Sequence, residues 1–598
     1  MNDLITLDCE VYRNYWLASF KNINNGKMVN IEIKGADNRL SKHDTTKLNT
    51  IMHRKTTFGF NSNNFDLPII LYALSGATAS ELCDMSNHII ENNSPDWLTM
   101  QRYSLTKPSS YKHFDISQPA PSVMASLKLY GGRLNSHTLQ DLPIAPNSTL
   151  TDAEMVDILT YCENDLNTNI ELYRAIEKQI ALRVKMSTMY GQDLLSKSDA
   201  QIAETVIKSE LQKGNKRKHL KAPKYPDNVT FKYDVPSYIS FKTKQLQDAL
   251  DIIRHHNFEL DGRGSIKLPK ELKSLKIALG QSIYQLGLGG IHSTEKSQTV
   301  IPNDNQILAD RDVASYYPNI ILNLGLYPKH LGESFLTIYE QIVKDRLKAK
   351  ATGDSVTSDS LKICINGSFG KLGSKYSALY SPDLMMTVTL TGQLALLMLI
   401  ERLELAGVSV VSANTDGFVS LMDKELYTLY DDICAKWQTL TAFELEETRY
   451  KALYSRDVNN YLAVTLDDKA KGKGIFTVNP LTKNPQAPIC TYAVQQLLIH
   501  GIPIAKTILN HENMNDFLRV RSVTGGAVWR GEYLGRVVRW VYTKDGDVIT
   551  YKKNGNKVPL SDGATPVMTL SDMPTDIDYR RYIDDAKTIL DDLGVTAL

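Results

Sequence analysis

The chain has no excess of charge of either sign: 68 Lys and Arg face 67 Asp and Glu, for a formal net charge of +1. That balance decides nothing about a polyanionic partner, because distribution matters more than the sum. Cysteine is scarce. Six residues (Cys9, Cys83, Cys162, Cys364, Cys434, Cys490) are scattered with no Cys-x-x-Cys pair. This excludes a zinc ribbon and a disulfide framework, and reduced core thiols are expected. No uninterrupted apolar run reaches spanning length, since Leu394 to Ile400 is followed at once by Glu401 and Arg402, so no membrane partner is expected. Met1-Asn-Asp lacks the basic region and apolar stretch of a signal peptide, which makes the cytoplasm the expected location, that of a host cell if the source is viral.

The charge that is present lies unevenly. Lys208, Lys213, Lys216, Arg217, Lys218, Lys221 and Lys224 share one short stretch with a single acid, Glu210. From Ser561 onward, eight Asp stand against three basic residues. The tail reads as an acidic surface helix. The basic stretch fits either a solvated loop or a contact with a phosphate backbone. At 598 residues, 42% apolar and 23% charged, the chain is long enough for several domains with ample cores. No long-period repeat or low-complexity tract is evident.

Residues able to do chemistry fall into two groups. In the first, Leu4-Ile5-Thr6-Leu7 opens a strand with Asp8 and Glu10 on one face, because residues two apart point the same way. Phe58 to Asn61 reads as a strand end, and the Asn-rich loop after it closes on Phe65-Asp66 ahead of a helix. Residues 152–180 have helical periodicity, with Thr151 and Glu154 as a capping pair and Tyr161 and Asp165 on one face. Any of these acids alone would be a cap or a surface charge. Together Asp8, Glu10, Asp66 and Asp165 are oxygen donors on three elements, the set that hard divalent metals take. Asp115 reads as a structural or outer residue of the same site, and the stretch from Ser126 to Pro143 carries no assignable chemistry.

In the second group, Ile307 to Asp312 is a strand, stopped by Pro318, with Asp310 and Asp312 facing the same side; spacing alone does not choose between them. Residues 333–350 form an amphipathic helix rich in positive charge, including Arg346. After the Gly353 break, Ser358 or Asp359 caps a second helix on which Lys362, Asn366, Phe369 and Gly370 share a face. A helix over 391–406 and the strand Val408–Ser412 lead into the turn Asn414-Thr415-Asp416-Gly417. Taken alone that turn is an ordinary hairpin. Two acids in separate strand and turn contexts, with a lysine-bearing helix between them, are what metal-assisted phosphoryl transfer on a nucleotide requires. The turn Gly287-Leu-Gly289-Gly290 permits close backbone approach, although a plain turn explains it as well.

Both groups resemble motifs of family B DNA polymerases. The first resembles the three exonuclease motifs of the proofreading domain. That resemblance implies two metals on Asp8, Glu10, Asp66 and Asp165, a water oriented by Tyr161, and a frayed single strand held by Asn61 and by stacking on Phe65. The second resembles the palm motif Asp-x-x-Ser-x-Tyr-Pro, here Asp312 to Pro318 with Ser315 at its Ser position. The resemblance selects Asp312 over Asp310, adds the Val313 carbonyl as a ligand, and has Tyr317 pack under the incoming sugar. It also implies that Arg346, Lys362 and Asn366 hold the triphosphate and that Asp416 is the second metal-binding acid. Lys-x-x-x-Asn-Ser-x-Tyr-Gly is met with Gly367 and Phe369 in place of Ser and Tyr, for which modest effects on nucleotide affinity or fidelity are expected. Asp-Thr-Asp-Ser is met with Asn414 and Gly417, and Asn414 removes one charge beside the site. Tyr461 and Lys473 look like the segment that grips the primer end.

The expected fold class is α/β multidomain, an RNase H-like exonuclease domain plus a right-hand polymerase with palm, short helical fingers and thumb. The boundaries implied are 1–195 exonuclease, 196–275 basic connector, 276–330 first part of the palm, 331–370 fingers, 371–480 second part of the palm, and 481–598 thumb and C-terminal region. The short interval between Asp312 and Lys362 leaves no room for the insertions of protein-primed members, and the first motif begins at residue 8. A compact, bacteriophage-like enzyme is therefore expected. Its cofactors would be two Mg2+ in each site, with Mn2+ as a substitute. Its partners would be primer-template DNA, dNTPs, single-stranded DNA at the exonuclease site and a processivity factor. A nuclease whose second half is a DNA-binding remnant is the rival reading, with Asn414 its best support.

Overall fold

The structure, a computed structural model, describes residues 4–121, 125–214, 220–226, 228–287, 289–477 and 481–595. Lys216, Arg217 and Lys218 of the basic stretch and Leu288 of the glycine-rich turn lie outside the described residues. The chain forms two compact units. One comprises 1–198, 478–489 and 511–582, and the other 199–477, 490–510 and 583–598.

The first unit is organised by a five-stranded sheet in the order Met28–Lys34, Tyr15–Asn22, Leu4–Tyr12, Thr56–Gly59, His113–Asp115. Its first three strands pair antiparallel and the last two join in parallel. Helix Asp152–Ala175 packs on the central strand. The Thr151 hydroxyl accepts from the Glu154 N–H and the Glu154 carboxylate accepts from the Thr151 N–H, so two otherwise orphaned donors are satisfied. This helix stops at Ile176 rather than running to residue 180, and a separate helix, Glu177–Tyr190, follows. Three apolar clusters pack around the sheet, one around Trp16, Phe20 and Ile69, one around Phe58, Phe114 and Tyr173, and one around Tyr12, Leu17 and Ile158.

The stretch 481–598, a single region by sequence, is divided between the units. Strands Arg519–Trp529 and Glu532–Asp547 form the centre of a four-stranded sheet inside the first unit. That sheet is joined to the segment after helix Leu127–Arg133 by the fully buried Arg539, which donates to the carbonyls of Ser136 at 2.8 Å and Val567 at 2.7 Å. A Cβ on Gly132 would stand 2.7 Å from Val520, so glycine there sets how closely helix and sheet approach.

The second unit is built on a ten-stranded sheet whose central strand, Gln306–Val313, lies between Gly417–Asp423 and Leu445–Asp457, antiparallel to both. Helix Pro382–Leu405 begins nine residues before the predicted start, with Pro382 in its first turn where a missing N–H costs nothing. By length and composition it could cross a membrane, yet 83% of its most apolar window is buried within the fold. Its polar residues are satisfied inside the core: Glu401 accepts from the backbone of Lys242 and Thr243. The two helices expected over residues 333–370 are Ser334–Ala351 and Ser355–Leu372. The second is capped by Asp354, which accepts from Thr357 N at 3.0 Å, and not by Ser358 or Asp359, because the chain turns at Gly353 with φ of 74° and re-enters helix at once.

Helix Asp199–Gly214 lies within the stretch predicted as a connector and packs against both of those helices. It accounts for Gly367. A Cβ there would stand 2.9 Å from the Asp199 carbonyl oxygen and 2.9 Å from Ala203 Cβ. Gly367 is therefore a helix-crossing position, where the motif alone suggested modest effects on nucleotide affinity or fidelity. Gly367→Ser is expected to destabilise the protein by about 1–3 kcal/mol through overpacking against backbone. A denaturant midpoint unchanged by the substitution would contradict this.

Candidate active sites

In the first unit the fold brings Asp8, Glu10, Asp66, Asp165 and Tyr161 together. Asp8 and Glu10 project from one face of strand Leu4–Tyr12. Asp66, buried at the first position of helix Asp66–Leu74, accepts from the backbone N–H of Cys9 at 2.8 Å, which fastens the helix start to that strand. Asp165 lies one turn beyond Tyr161 on helix Asp152–Ala175. Burial raises all four carboxyls above their usual range. Asp66, Glu10 and Asp165 push Asp8 further up, and burial takes Asp66 to about 7. Four carboxylates cannot all ionise in such a space without a counter-charge. The donor set is hard oxygen, which fits a divalent cation, with the Cys162 thiol also inside the group. Donor atoms of Asp8, Glu10 and Cys162 lie within 4.8 Å of one another.

Sequence reasoning missed Lys128, which sits in the stretch given no chemistry. Its ammonium donates to both oxygens of Asp165, at 2.9 and 3.0 Å, and lies 4.0 Å from the centre of the Tyr161 ring. No local signal marks it, because its partners lie on a helix remote in sequence. Asp115 acts as a loop anchor. It accepts from the backbone of Asn61, Asn63 and Ser117 at 2.8–3.0 Å, holding Asn61 at a φ of 56°. Asn61 is exposed on that loop, while Phe65 is partly buried against the core cluster that includes Ile69.

In the second unit Asp416 stands in the two-residue turn between strands Ser409–Asn414 and Gly417–Asp423, and Asp312 stands near the end of the neighbouring strand Gln306–Val313. Asp312 pairs with Gly417 in the sheet register, and the Val313 N–H donates to the Asp416 carbonyl at 2.7 Å. A side chain on Gly417 would collide with the Asp312 carboxylate, so the glycine leaves that acid its place. Thr415, a β-branched residue, is held at a φ of 50°, a strained conformation for its type. What holds it there is the glycine-rich turn: Thr415 N donates to the Ile291 carbonyl at 2.7 Å, and Gly290 packs so closely on Thr415 that no Cβ fits. Gln393 of the long buried helix ties that turn down through Gly287 and Gly289. The close approach these glycines permit is thus made by the hairpin of the same chain.

The structure separates Asp310 from Asp312, which spacing could not. The Asp310 side chain is 8% exposed and is bonded to the Tyr450 hydroxyl and to Lys471, the latter at 2.8 Å. The Asp312 side chain is 50% exposed and receives only a longer contact from Lys471, at 3.4 Å. Burial, then the charge of Asp310, raises Asp312; burial raises Asp416, against the opposing charges of Lys473 and Lys471. Lys473 therefore faces the carboxylates, and burial lowers its own affinity for a proton. Tyr461 stands close enough to feel Lys471, Asp310, Asp312 and Asp416.

Tyr317 stacks on Phe369 with ring centres 4.4 Å apart. Arg346 donates to Ser315 Oγ at 3.1 Å, and its Nε–H is buried with no hydrogen-bond partner among the described residues. Lys362 and Asn366 are exposed on their helix, and no hydrogen bond or ion pair among the described residues links them to the carboxylates. Asn414 pairs with His292 in the sheet and accepts from the Thr415 hydroxyl at 3.1 Å.

No family model matches the chain, and no curated protein matches it. Among solved structures it is similar to the family B DNA polymerase of the hyperthermophilic archaeon Pyrobaculum calidifontis, with a TM-score of 0.41 and 12% identity over 100% of this chain and 78% of that one. A likeness at that level carries no argument about function, which rests on the two sites.

The raised Asp66 carboxyl gives a pH signature. In metal-free buffer the native state keeps a proton on Asp66 between 3.8 and about 7, where the unfolded chain has lost it. Stability drawn from this group is therefore full below 3.8 and is lost as pH rises through about 7. Asp66→Asn, which cannot ionise, is expected to gain thermal stability relative to the parent across that window, in melts run with EDTA. Divalent metal should then stabilise the parent more than the variant. Parallel melting profiles for the two proteins would contradict both expectations.

Proposed function

We propose that the chain is a template-directed DNA polymerase with its own 3′-to-5′ exonuclease, in a compact enzyme of the family B type that copies a phage genome in a host cytoplasm. The observation that carries the reading is the placement of Asp312 beside the turn that carries Asp416, set by the Asp312–Gly417 register and the Val313 N–H bond to the Asp416 carbonyl, with a basic helix pair in the same unit. In this reading Asp312, Asp416 and the Val313 carbonyl hold two Mg2+, for which Mn2+ substitutes. Those ions supply Lewis-acid stabilisation of the attacking and leaving oxygens. Arg346, Lys362 and Asn366 bind the triphosphate of a dNTP, and Tyr317, fixed by its stack on Phe369, lies under the sugar and excludes a 2′-hydroxyl. The primer 3′-hydroxyl loses its proton and attacks the α-phosphate, and pyrophosphate leaves. Tyr461 and Lys473 contact the primer end of the primer-template, and a processivity factor keeps the enzyme on it.

The degradative site is Asp8, Glu10, Asp66 and Asp165, with a second pair of Mg2+, Tyr161 orienting water and Lys128 fixing Asp165. Asn61 and Phe65 hold the single strand. The order of the five-stranded sheet, three antiparallel strands then two parallel ones, supports an RNase H-like reading of this domain. Asn414 is the one observation that favours a nuclease with an idle second half, since it lacks the charge of the resembled motif.

The test is extension of a labelled primer on a longer template with magnesium, with and without dNTPs. Full-length product with dNTPs and shortening from the 3′ end without them are expected; shortening under both conditions favours the nuclease reading. Asp312→Ala or Asp416→Ala should lower synthesis by more than the ~10–100-fold typical of outer-shell changes and spare degradation. Asp8→Ala with Glu10→Ala should do the reverse. Loss of synthesis in that double variant, with its folding intact, rejects two independent sites.

A further inference from the structure

The C-terminal sheet of the first unit reaches the acidic cluster by a route that the motifs do not include. A cavity of about 180 Å³ is lined by Lys128, Gln140 and Asp141 on one side and by Arg536 and Val537 on the other. Lys128 is the residue that holds Asp165, so one end of the cavity adjoins the carboxylates. Asp141 is near enough for its charge to raise Asp165. At the other end Tyr533, 44% exposed, donates to Asp141 Oδ2 at 2.9 Å. Arg536 stands beside the same hydroxyl, and Lys552 lies 4.4 Å from the centre of the Tyr533 ring.

The strand is shaped for this placement. The pairing of Arg519–Trp529 with Glu532–Asp547 shifts register between Ser522 and Val528, and Gly535 takes a φ of 103°. A Cβ on Gly535 would stand 3.0 Å from that of Asp141. A bulge beside an active site re-aims side chains, and this one lays Tyr533 and Arg536 along the edge of the cavity. The result is an exposed aromatic between two exposed cations, Arg536 and Lys552, leading to the cavity beside the acids. Cations that follow a backbone, interleaved with an aromatic ring, suit a single nucleic-acid strand. Asp141 makes the cavity itself unsuited to a bare phosphate and suited to the sugar and base of a terminal nucleotide.

Resting on the proposed exonuclease, we propose that Lys552, Tyr533 and Arg536 form a track for single-stranded DNA that delivers its 3′ end past Lys128 and Gln140 to the carboxylates. The track lies wholly within the first unit.

The test uses the full chain and a short fluorescein-labelled oligo(dT), with anisotropy read in EDTA across a salt series, so binding is measured without turnover. Arg536→Ala with Lys552→Ala should weaken binding about tenfold and lower the slope of log affinity against log salt by about 0.7 per charge removed. Arg536→Lys should restore the slope, which a merely structural defect would not allow. With magnesium, the double variant should raise KM for single-strand shortening and leave kcat near that of the parent. Unchanged affinity and slope, in a parent that shortens the strand, overturn the track and leave the exonuclease reading standing. Binding that depends on these residues in a parent that never shortens the strand supports the track and overturns the exonuclease reading.

Discussion

Repulsion between carboxylates is the constraint on which both sites depend. Each unit holds acids closer together than their charges favour, and burial adds to the cost of ionising them. The surrounding structure supplies the counterweights. Lys128 fastens on Asp165, Lys471 on Asp310, and the Cys9 N–H on Asp66. None of these is enough to neutralise its cluster, which leaves each site with a standing demand for cations. That unmet demand, more than any one residue, is what makes the two clusters read as reactive sites and not as buried ion pairs.

The second dependence is on close backbone contact. The hairpin carrying Asp416 is not shaped by its own turn residues, since Thr415 is a poor choice for a positive φ. It is shaped from outside, by Gly290 pressing on Thr415 and by Gln393 holding the glycine-rich turn. Gly417 clears the place of the Asp312 carboxylate, and Gly367 lets helix Asp199–Gly214 lie against the helix that carries Lys362. Two of the chain's departures from the motifs it resembles, Gly367 and Gly417, are thus explained by packing. Asn414 is explained only in part, by its bond to the Thr415 hydroxyl.

The two units differ in how their acids are supported. In the first, two strand residues, a helix N-terminus and a helix face converge, and the lysine that stabilises Asp165 comes from a segment with no motif of its own. In the second, one acid lies on a strand and the other in the turn of the adjoining hairpin, so the register of that strand against the hairpin sets their separation. Burial separates their neighbour Asp310 from them: its side chain is buried with Oδ2 tied to both Tyr450 and Lys471, whereas Asp312 is half exposed.

Local periodicity is legible in the residues alone. Asp8 and Glu10 share a strand face, Tyr161 and Asp165 share a helix face, the Thr151 cap starts its helix, and the acids and basic helices follow one another in a readable order. Such features depend on spacings of two to four residues, which the backbone converts directly into direction. It took the folded chain to show that Lys128 serves Asp165, that Asp310 is tied to Tyr450 and Lys471, that Gly290 meets Thr415, and that strands from 519 to 566 join the first unit. Each of these is a contact between segments remote in the chain. No spacing encodes it, and it exists only once packing has brought the two surfaces together.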